Sequence, residues 1–297
     1  MLKQDSVIVI AGPTGVGKTK MSIELAKKIN GEIINADSTQ IYKDLNIATA
    51  KVTSDEMENI KHHLIDIKDI TEDYSVYDYQ KDCRAKINEI LKKKKTPILV
   101  GGTGLYIKAA LYDYKFSKED SINKDESNLT NEQLYEKLIK IDPNTDIHPN
   151  NRKRIIRALD YFEKNKKPMS QKEKTNTLLY DTIIIGLTTD RETLYNKIND
   201  RVDNMFDCGL LEEALKIYNT SKRTKAVMTP IGYKELFLYF DKIITLEESK
   251  ELIKKRSRNY AKRQYTWFNN QMDVKWFNVN YDNFDLTIKE VLEYIER

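Results

Sequence analysis

Hydrophobic residues follow two rhythms along this chain. Four short unbroken runs, residues 6–11, 32–36, 96–100 and 182–187, are rich in Ile and Val and end at or near small residues. Runs of this length, without the in-and-out alternation of a half-exposed strand, predict strands buried on both faces of a parallel sheet. Between and after them, apolar residues recur every three or four positions, as in Met21, Leu25 and Ile29 or in Leu194, Ile198, Val202 and Met205. That period predicts helices, one of them over 77–94, whose closing lysines put positive charge at the negative end of the helix dipole. Strands alternating with helices imply an α/β core.

From about 116 to 176 the rhythm changes. No strand-like run occurs, polar residues dominate, and helical patterns cover 131–140 and 151–164. The expected architecture is therefore an α/β core whose first part is 1–115, a small helical insertion domain at 116–177, and a completion of the core with C-terminal helices at 178–297.

Composition narrows the classes. With 297 residues, 40% of them hydrophobic, the chain is long enough for one large domain or for a core with a smaller companion. No apolar run approaches the ~20 residues that a membrane span needs, and residues 1–5 lack the features of a secretory signal. The expectation is a cytoplasmic protein with no membrane partner. Cys83 and Cys208 lie far apart, and His62, His63 and His148 have no metalloenzyme spacing, so neither a disulfide framework nor a zinc site is indicated. Any metal then arrives with the substrate. The net charge of +4, averaged over 50 basic and 46 acidic residues, says little about partners.

The sharpest chemical signal follows the first strand. Gly12-Pro13-Thr14-Gly15-Val16-Gly17-Lys18-Thr19 fits the phosphate-binding pattern G-x-x-x-x-G-K-[ST]. Such a match arises by chance in roughly one chain in a hundred, so its place between a strand and a helix decides the matter. Glycines let backbone N–H groups face a phosphate, the helix N-terminus adds its positive end, Lys18 places a point charge, and the Thr19 hydroxyl is suited to Mg2+. A phosphate site is expected and an ordinary glycine-rich turn is the weaker alternative. The motif alone leaves open whether phosphate is transferred, hydrolysed or expelled as a leaving group. A small-molecule or nucleotide kinase, with the helical insertion as a lid, fits it as well.

Two further strand ends bear on that choice. Asp37-Ser38-Thr39-Gln40-Ile41-Tyr42 places a carboxylate at the C-terminal edge of the sheet, where α/β sites form, although Asp37 and Ser38 also suit a helix cap. Gly101-Gly102-Thr103-Gly104-Leu105-Tyr106 brings small residues and a hydroxyl to the same edge, or marks a tight turn without function.

Taken in order, the P-loop, the Asp37 and Gly101 segments, Ala48-Thr-Ala-Lys51, His62-His-Leu-Ile-Asp66, His148-Pro-Asn150, Arg154-Ile-Ile-Arg-Ala-Leu159, Ile231-Gly-Tyr-Lys-Glu235 and Ala261-Lys-Arg-Gln-Tyr-Thr-Trp267 resemble the tRNA dimethylallyltransferases, the tRNA isopentenyltransferase family. The resemblance spans nearly the whole chain. It implies a P-loop NTPase-like parallel sheet flanked by helices. It also implies transfer of a dimethylallyl group from dimethylallyl diphosphate to N6 of adenosine 37, beside the anticodon in tRNA, with release of diphosphate.

Under that resemblance Asp37 is the base that takes the amine proton, Thr103 a catalytic neighbour that touches tRNA near the reacting base, and the P-loop with Mg2+ a cradle for the leaving diphosphate. Asp37, Ser38, Thr39, Gln40 and Thr103 are the expected tRNA contacts along the channel. Lys153, Arg154, Ile155, Ile156 and Arg157, and then Thr229, Pro230, Ile231, Gly232, Tyr233 and Lys234, correspond to further tRNA-contacting segments. The partners are the tRNA anticodon stem-loop and the prenyl diphosphate, acting on a monomer.

Arg152 joins the first basic group, and a second one, Lys254, Arg258 and Lys262, falls on one helical face near Tyr260, Tyr265 and Trp267. A solvated helix face is the other reading of that second stretch. His62 and His63 read as packing residues. Relatives often hold Gly where this chain has Ala48, Pro where it has Val52, and Arg or Gln where it has Thr229. Arg223, Lys234 and Arg263 are the candidates to replace an arginine at that last position.

Overall fold

In the computed structural model, which describes residues 5–114, 116, 128–171 and 176–296, each of the four apolar runs lies in a strand of one parallel sheet. The strands are β1 (Ser6–Ala11), β2 (Gly31–Asn35), β3 (His62–His63), β4 (Thr96–Val100), β5 (Asp181–Thr188) and β6 (Lys275–Asn278). Their order is β3-β2-β4-β1-β5-β6. Ile8 of β1 stands between Ile98 of β4 and Ile183 of β5, so the most apolar strand is the innermost one. The edge strands β3 and β6 were not foreseen. They are short and carry His62-His63 and Lys275-Trp-Phe-Asn278, without the unbroken aliphatic run of a strand covered on both faces.

Alternation along the inner strands divides the core into two layers. Val7, Val9, Ile34 and Leu99 face one side, where they meet Tyr79 and Ile87 of α2 (Val76–Lys92), Tyr106 of α3 (Gly104–Leu111) and Phe268. Ile8, Ile10, Ile33 and Ile98 face the other, against Met21 and Leu25 of α1 (Lys18–Lys28) and Val291 near the C-terminus. Residues 77–94 were expected to be helical. The helix starts one residue earlier, because Ser75 accepts from the Asp78 N–H at 3.2 Å while Asp78 accepts from the Ser75 N–H at 2.9 Å. It stops at Lys92, and Lys94 takes a left-handed φ of 56°.

The chain divides into two compact units, Met1–Tyr112 with Leu178–Arg297, and Asp113–Thr177. The second unit holds α4 (Asn131–Ile141) and α5 (Arg152–Asn165), joined through Leu134, Leu138, Ile147, Ile155, Ala158 and Leu159. Its buried Asp142 carboxylate accepts from the backbone N–H of Ser170 at 2.9 Å and from the Ser170 hydroxyl. The first unit is completed by α6 (Arg191–Asp207), α7 (Leu210–Asn219), α8 (Lys225–Met228), α9 (Tyr233–Phe240), α10 (Leu246–Gln271) and α11 (Phe284–Glu296). Among the described residues no helix is long and apolar enough to cross a membrane.

Candidate active site

The C-terminal ends of β1, β2 and β4 open into a cavity of about 340 Å3. At one end lies the P-loop. Gly15 and Gly17 take left-handed φ values of 87° and 84°, which only glycine adopts without strain. Gly17 then caps α1 with no side-chain acceptor, leaving the first backbone N–H groups of the helix for an anion. Thr14, Gly15, Gly17, Lys18 and Thr19 line the cavity. Gly12 backs onto the Leu187 carbonyl, Val16 is fully buried in the core, and the Pro13 carbonyl accepts from Lys18 Nζ at 2.6 Å. Burial, aided by the positive charge of Arg201, pushes the Lys18 ammonium down to about 7, while Asp37 pulls it up.

The end of β2 forms the second wall. Asn35 Oδ1 accepts from the Asp37 N–H at 2.9 Å, and its Nδ2 donates to the Asp37 and Leu64 carbonyls, each at 3.0 Å. Asp37 Oδ1 accepts from the Thr39 N–H at 2.9 Å and from the Thr39 hydroxyl at 2.7 Å. Its Oδ2 has no hydrogen bond among the described residues. The segment is a turn and not the start of a helix, so Asp37 shapes an Asx-type turn where a helix cap was the alternative. Gln40 Nε2 donates to the carbonyls of Thr49 and Ala50, each at 3.1 Å, and ties the turn to the next stretch of wall.

Thr103 sits behind this wall. Its hydroxyl accepts from the Ser38 N–H at 3.1 Å and donates to Ser38 Oγ at 3.3 Å, so it steadies the Asp37 turn and does not itself line the cavity. The neighbouring glycines serve close packing. A Cβ on Gly101 would stand 2.2 Å from the Ala36 carbonyl carbon, and one on Gly102 would stand 2.0 Å from Gln264 Nε2. Neither has a positive φ, so this is not the tight turn that a glycine pair alone suggested.

The third wall is helical. Ile198, Arg201, Val202 and Met205 of α6, Thr229, Pro230, Ile231 and Lys234 around the start of α9, and Ile253, Ser257, Tyr260, Arg263 and Gln264 of α10 line it. Buried Gln264 accepts from the Thr14 N–H at 3.2 Å and donates to the Gly102 carbonyl at 3.0 Å, linking the P-loop to the end of β4. Burial holds the Tyr260 hydroxyl protonated, reinforced by the nearby Asp37 charge. Gly232 and Tyr233 hold their segment from behind: Gly232 packs on Ala48, and the buried Tyr233 hydroxyl donates to Glu213 at 2.7 Å. The same Glu213 carboxylate accepts from the N–H groups of Ile47 at 2.9 Å and Ala48 at 3.2 Å.

Several expected contacts lie elsewhere. Ile155 is fully buried in the core of the insertion, which takes its side chain out of reach of any RNA, and Ile156 packs partly against that core. Lys153, Arg154 and Arg157 are exposed on α5. Of the cations considered as replacements at the Thr229 position, Lys234 and Arg263 line the cavity, whereas Arg223 stacks on Phe237 and Tyr218. In the second basic stretch Lys254 pairs with Asp203 at 3.0 Å and Arg258 donates to Asn199 at 2.6 Å, so both fasten α10 to α6. The buried His63 ring bonds Glu32 at 2.7 Å, a packing role. Arg201 was overlooked. Its signal is a charge set inside the apolar stripe Ile198, Val202, Met205.

The model of the IPP transferase family matches residues 40–271. The chain belongs to the IPP transferase family. It is 49% identical over 300 residues to the tRNA dimethylallyltransferase of Anoxybacillus flavithermus, covering 98% of this chain and 96% of that one. It is 47% identical over 301 residues to the enzyme of the same name from Bacillus subtilis, covering 97% and 96%. Among solved structures it is similar to the tRNA delta(2)-isopentenylpyrophosphate transferase of Staphylococcus epidermidis, with a TM-score of 0.75, 43% identity and 98% of each chain covered. A eukaryotic dimethylallyltransferase acting on tRNA aligns with a TM-score of 0.84 and 34% identity, over 97% of this chain and 77% of that one. The family match sets aside the kinase alternative.

Proposed function

We propose that this tRNA prenyltransferase takes dimethylallyl diphosphate as donor and N6 of adenosine 37 as acceptor, and releases diphosphate. The observation that carries the reading is a single cavity lined by both the P-loop and the Asp37 turn. Diphosphate lies on the backbone N–H groups and Lys18, and the five-carbon group lies along Ile198, Val202 and Met205.

The exocyclic amine of adenine is a weak nucleophile because its lone pair is delocalised into the ring. Asp37 Oδ2 is the carboxylate oxygen with no hydrogen bond among the described residues, so it is the one to accept the N6 proton as the new C–N bond forms and the allylic C–O bond breaks. Thr103 contributes by holding Ser38, beside that carboxylate.

The donor set suits Mg2+ arriving with the substrate. Thr19 lines the cavity at the start of α1, and its hydroxyl is a hard oxygen donor of the kind Mg2+ takes. Bound there, the ion would offset negative charge on the diphosphate oxygens.

The target base is drawn out of the anticodon-loop stack at a cost of a few kcal/mol, offset by backbone contacts. Lys153, Arg154 and Arg157 are suited to tRNA phosphates, and Ser38, Thr39, Gln40, Thr229, Pro230, Ile231 and Lys234 to the extruded nucleotide and its neighbours. The reading has the chain act as a monomer in the cytoplasm, where its tRNA substrate is met.

The test is to incubate the protein with an unmodified anticodon stem-loop and labelled dimethylallyl diphosphate, with γ-labelled ATP in a parallel reaction. Label is expected in RNA from the prenyl donor alone. Label moving from ATP alone would overturn the reading.

A further inference from the structure

Arg201 projects from the middle of α6 into the cavity among Ile198, Val202 and Met205. It makes no hydrogen bond and no ion pair among the described residues. Two other arginines of this unit have protein partners: Arg84 donates to the carbonyls of Ala109, Ala110 and Tyr112, and Arg256 pairs with Glu235. Half-buried and facing the cavity beside the P-loop, this guanidinium has its donors available to an anionic ligand.

Lys18 lies near enough for Arg201 to be the main charge acting on it, and Asp37, the carboxylate acting on both, already accepts from Thr39. Lys18 and Arg201 thus line one cavity, and among the described residues no carboxylate is bonded to Arg201. Arg263, also in the cavity wall, is exposed and lies over the Tyr260 ring.

We infer that Arg201 is the second diphosphate-holding cation of this enzyme, with its guanidinium fork on the phosphate oxygens opposite Lys18. The fork matches two phosphate oxygens at once. Arg201 also keeps its charge throughout the working pH range. Its place in an apolar stripe lets the same helix face hold both the diphosphate and the hydrocarbon that leaves it. This inference rests on the proposed donor, and it is read by binding of inorganic diphosphate, which needs no turnover.

The experiment compares the native chain with Arg201→Met and Arg201→Lys by calorimetric titration with inorganic diphosphate and Mg2+, beside titration with the anticodon stem-loop. The Met variant is expected to bind diphosphate about 30- to 100-fold more weakly, and the Lys variant about tenfold more weakly, because a point charge lacks the fork. RNA affinity is expected to stay within twofold, and the melting temperature of the Met variant to equal or exceed the native value.

Diphosphate affinity unchanged in Arg201→Met would overturn the inference. So would a loss confined to RNA affinity, which would make Arg201 a tRNA contact. A fall in melting temperature of both variants would assign Arg201 a structural role and overturn it too. Prenyl transfer by the native chain decides the donor separately, since a chain that binds diphosphate through Arg201 but transfers no prenyl group refutes the reaction and not the role of Arg201.

Discussion

Around the P-loop the two cations of the cavity have no ion-pair partner among the described residues, whereas around Asp37 most polar groups are tied to a neighbour. Among the described residues Lys18 bonds only the Pro13 carbonyl and Arg201 makes no hydrogen bond, while Asp37 bonds both Asn35 and Thr39, Thr103 bonds Ser38, and Gln40 bonds the Thr49 and Ala50 carbonyls. The first end is built for a ligand that brings its own charge. The second is built to hold a carboxylate still, so that one free oxygen meets the proton it accepts. Burial of positive charge at the P-loop works against the fold, whereas the bonded Asp37 turn supports it.

The largest effect should come from the charge at the first end. Lys18→Met is expected to lower prenyl transfer about 10⁴-fold, because the lysine charge that stabilises the negative leaving diphosphate is lost. It should nevertheless raise the melting temperature. Folding lowers the Lys18 pKa from 10.5 to about 7, so the charged form costs stability. That cost is present in full below about pH 7 and fades as the pH rises towards 10.5. The melting-temperature advantage of the Met variant should follow the same course, and a variant less stable than the native chain at pH 6 would break the contrast.

At the other end, Asp37→Asn should lower turnover about 10³-fold while leaving RNA affinity within a few-fold. The amide oxygen can still accept from Thr39, so the melting curve should hardly move. Turnover within tenfold of native would remove Asp37 as the base.

A smaller effect sharpens the difference further. Dimethylallyl diphosphate bound beside Lys18 raises its pKa again, so affinity is greatest below about pH 7 and falls above it, by up to about tenfold per pH unit. Calorimetry at pH 8 in buffers of different ionisation enthalpy should show proton uptake on binding. Binding without proton exchange would mean that Lys18 is already charged in the empty cavity.

The mildest change concerns the link between the ends. Gln264→Leu leaves the Thr14 N–H and the Gly102 carbonyl without partners, and should cost about 1–3 kcal/mol in denaturant unfolding. Stability equal to native would show that the P-loop needs no such brace.

How much was legible depended on how far apart in sequence the cooperating residues lie. The P-loop is eight consecutive residues between a strand and a helix, and its backbone conformation follows from its own glycines. Asp37 was legible as a polar residue just past a buried strand. Gln264 was visible only as part of a motif, because its partner Thr14 lies 250 residues away. Ile155 and Tyr233 looked like contact residues inside motif segments, yet packing turned both side chains inward. The edge strands β3 and β6 lacked a periodic signal, since a strand covered on one side needs no unbroken aliphatic run.

The sequence by itself determined the inner strands, the helices between them and the phosphate-binding turn, because hydrophobic period, capping and glycine conformation act over a few residues. Only the tertiary structure decided which charges share the cavity and which remain unpartnered. Arg201 has no local oddity beyond one charge in an apolar stripe, and its proximity to Lys18 follows from α6 packing beside the P-loop across 183 positions of chain (201 − 18). Burial then shifts the Lys18 proton, an effect of desolvation that no local pattern encodes.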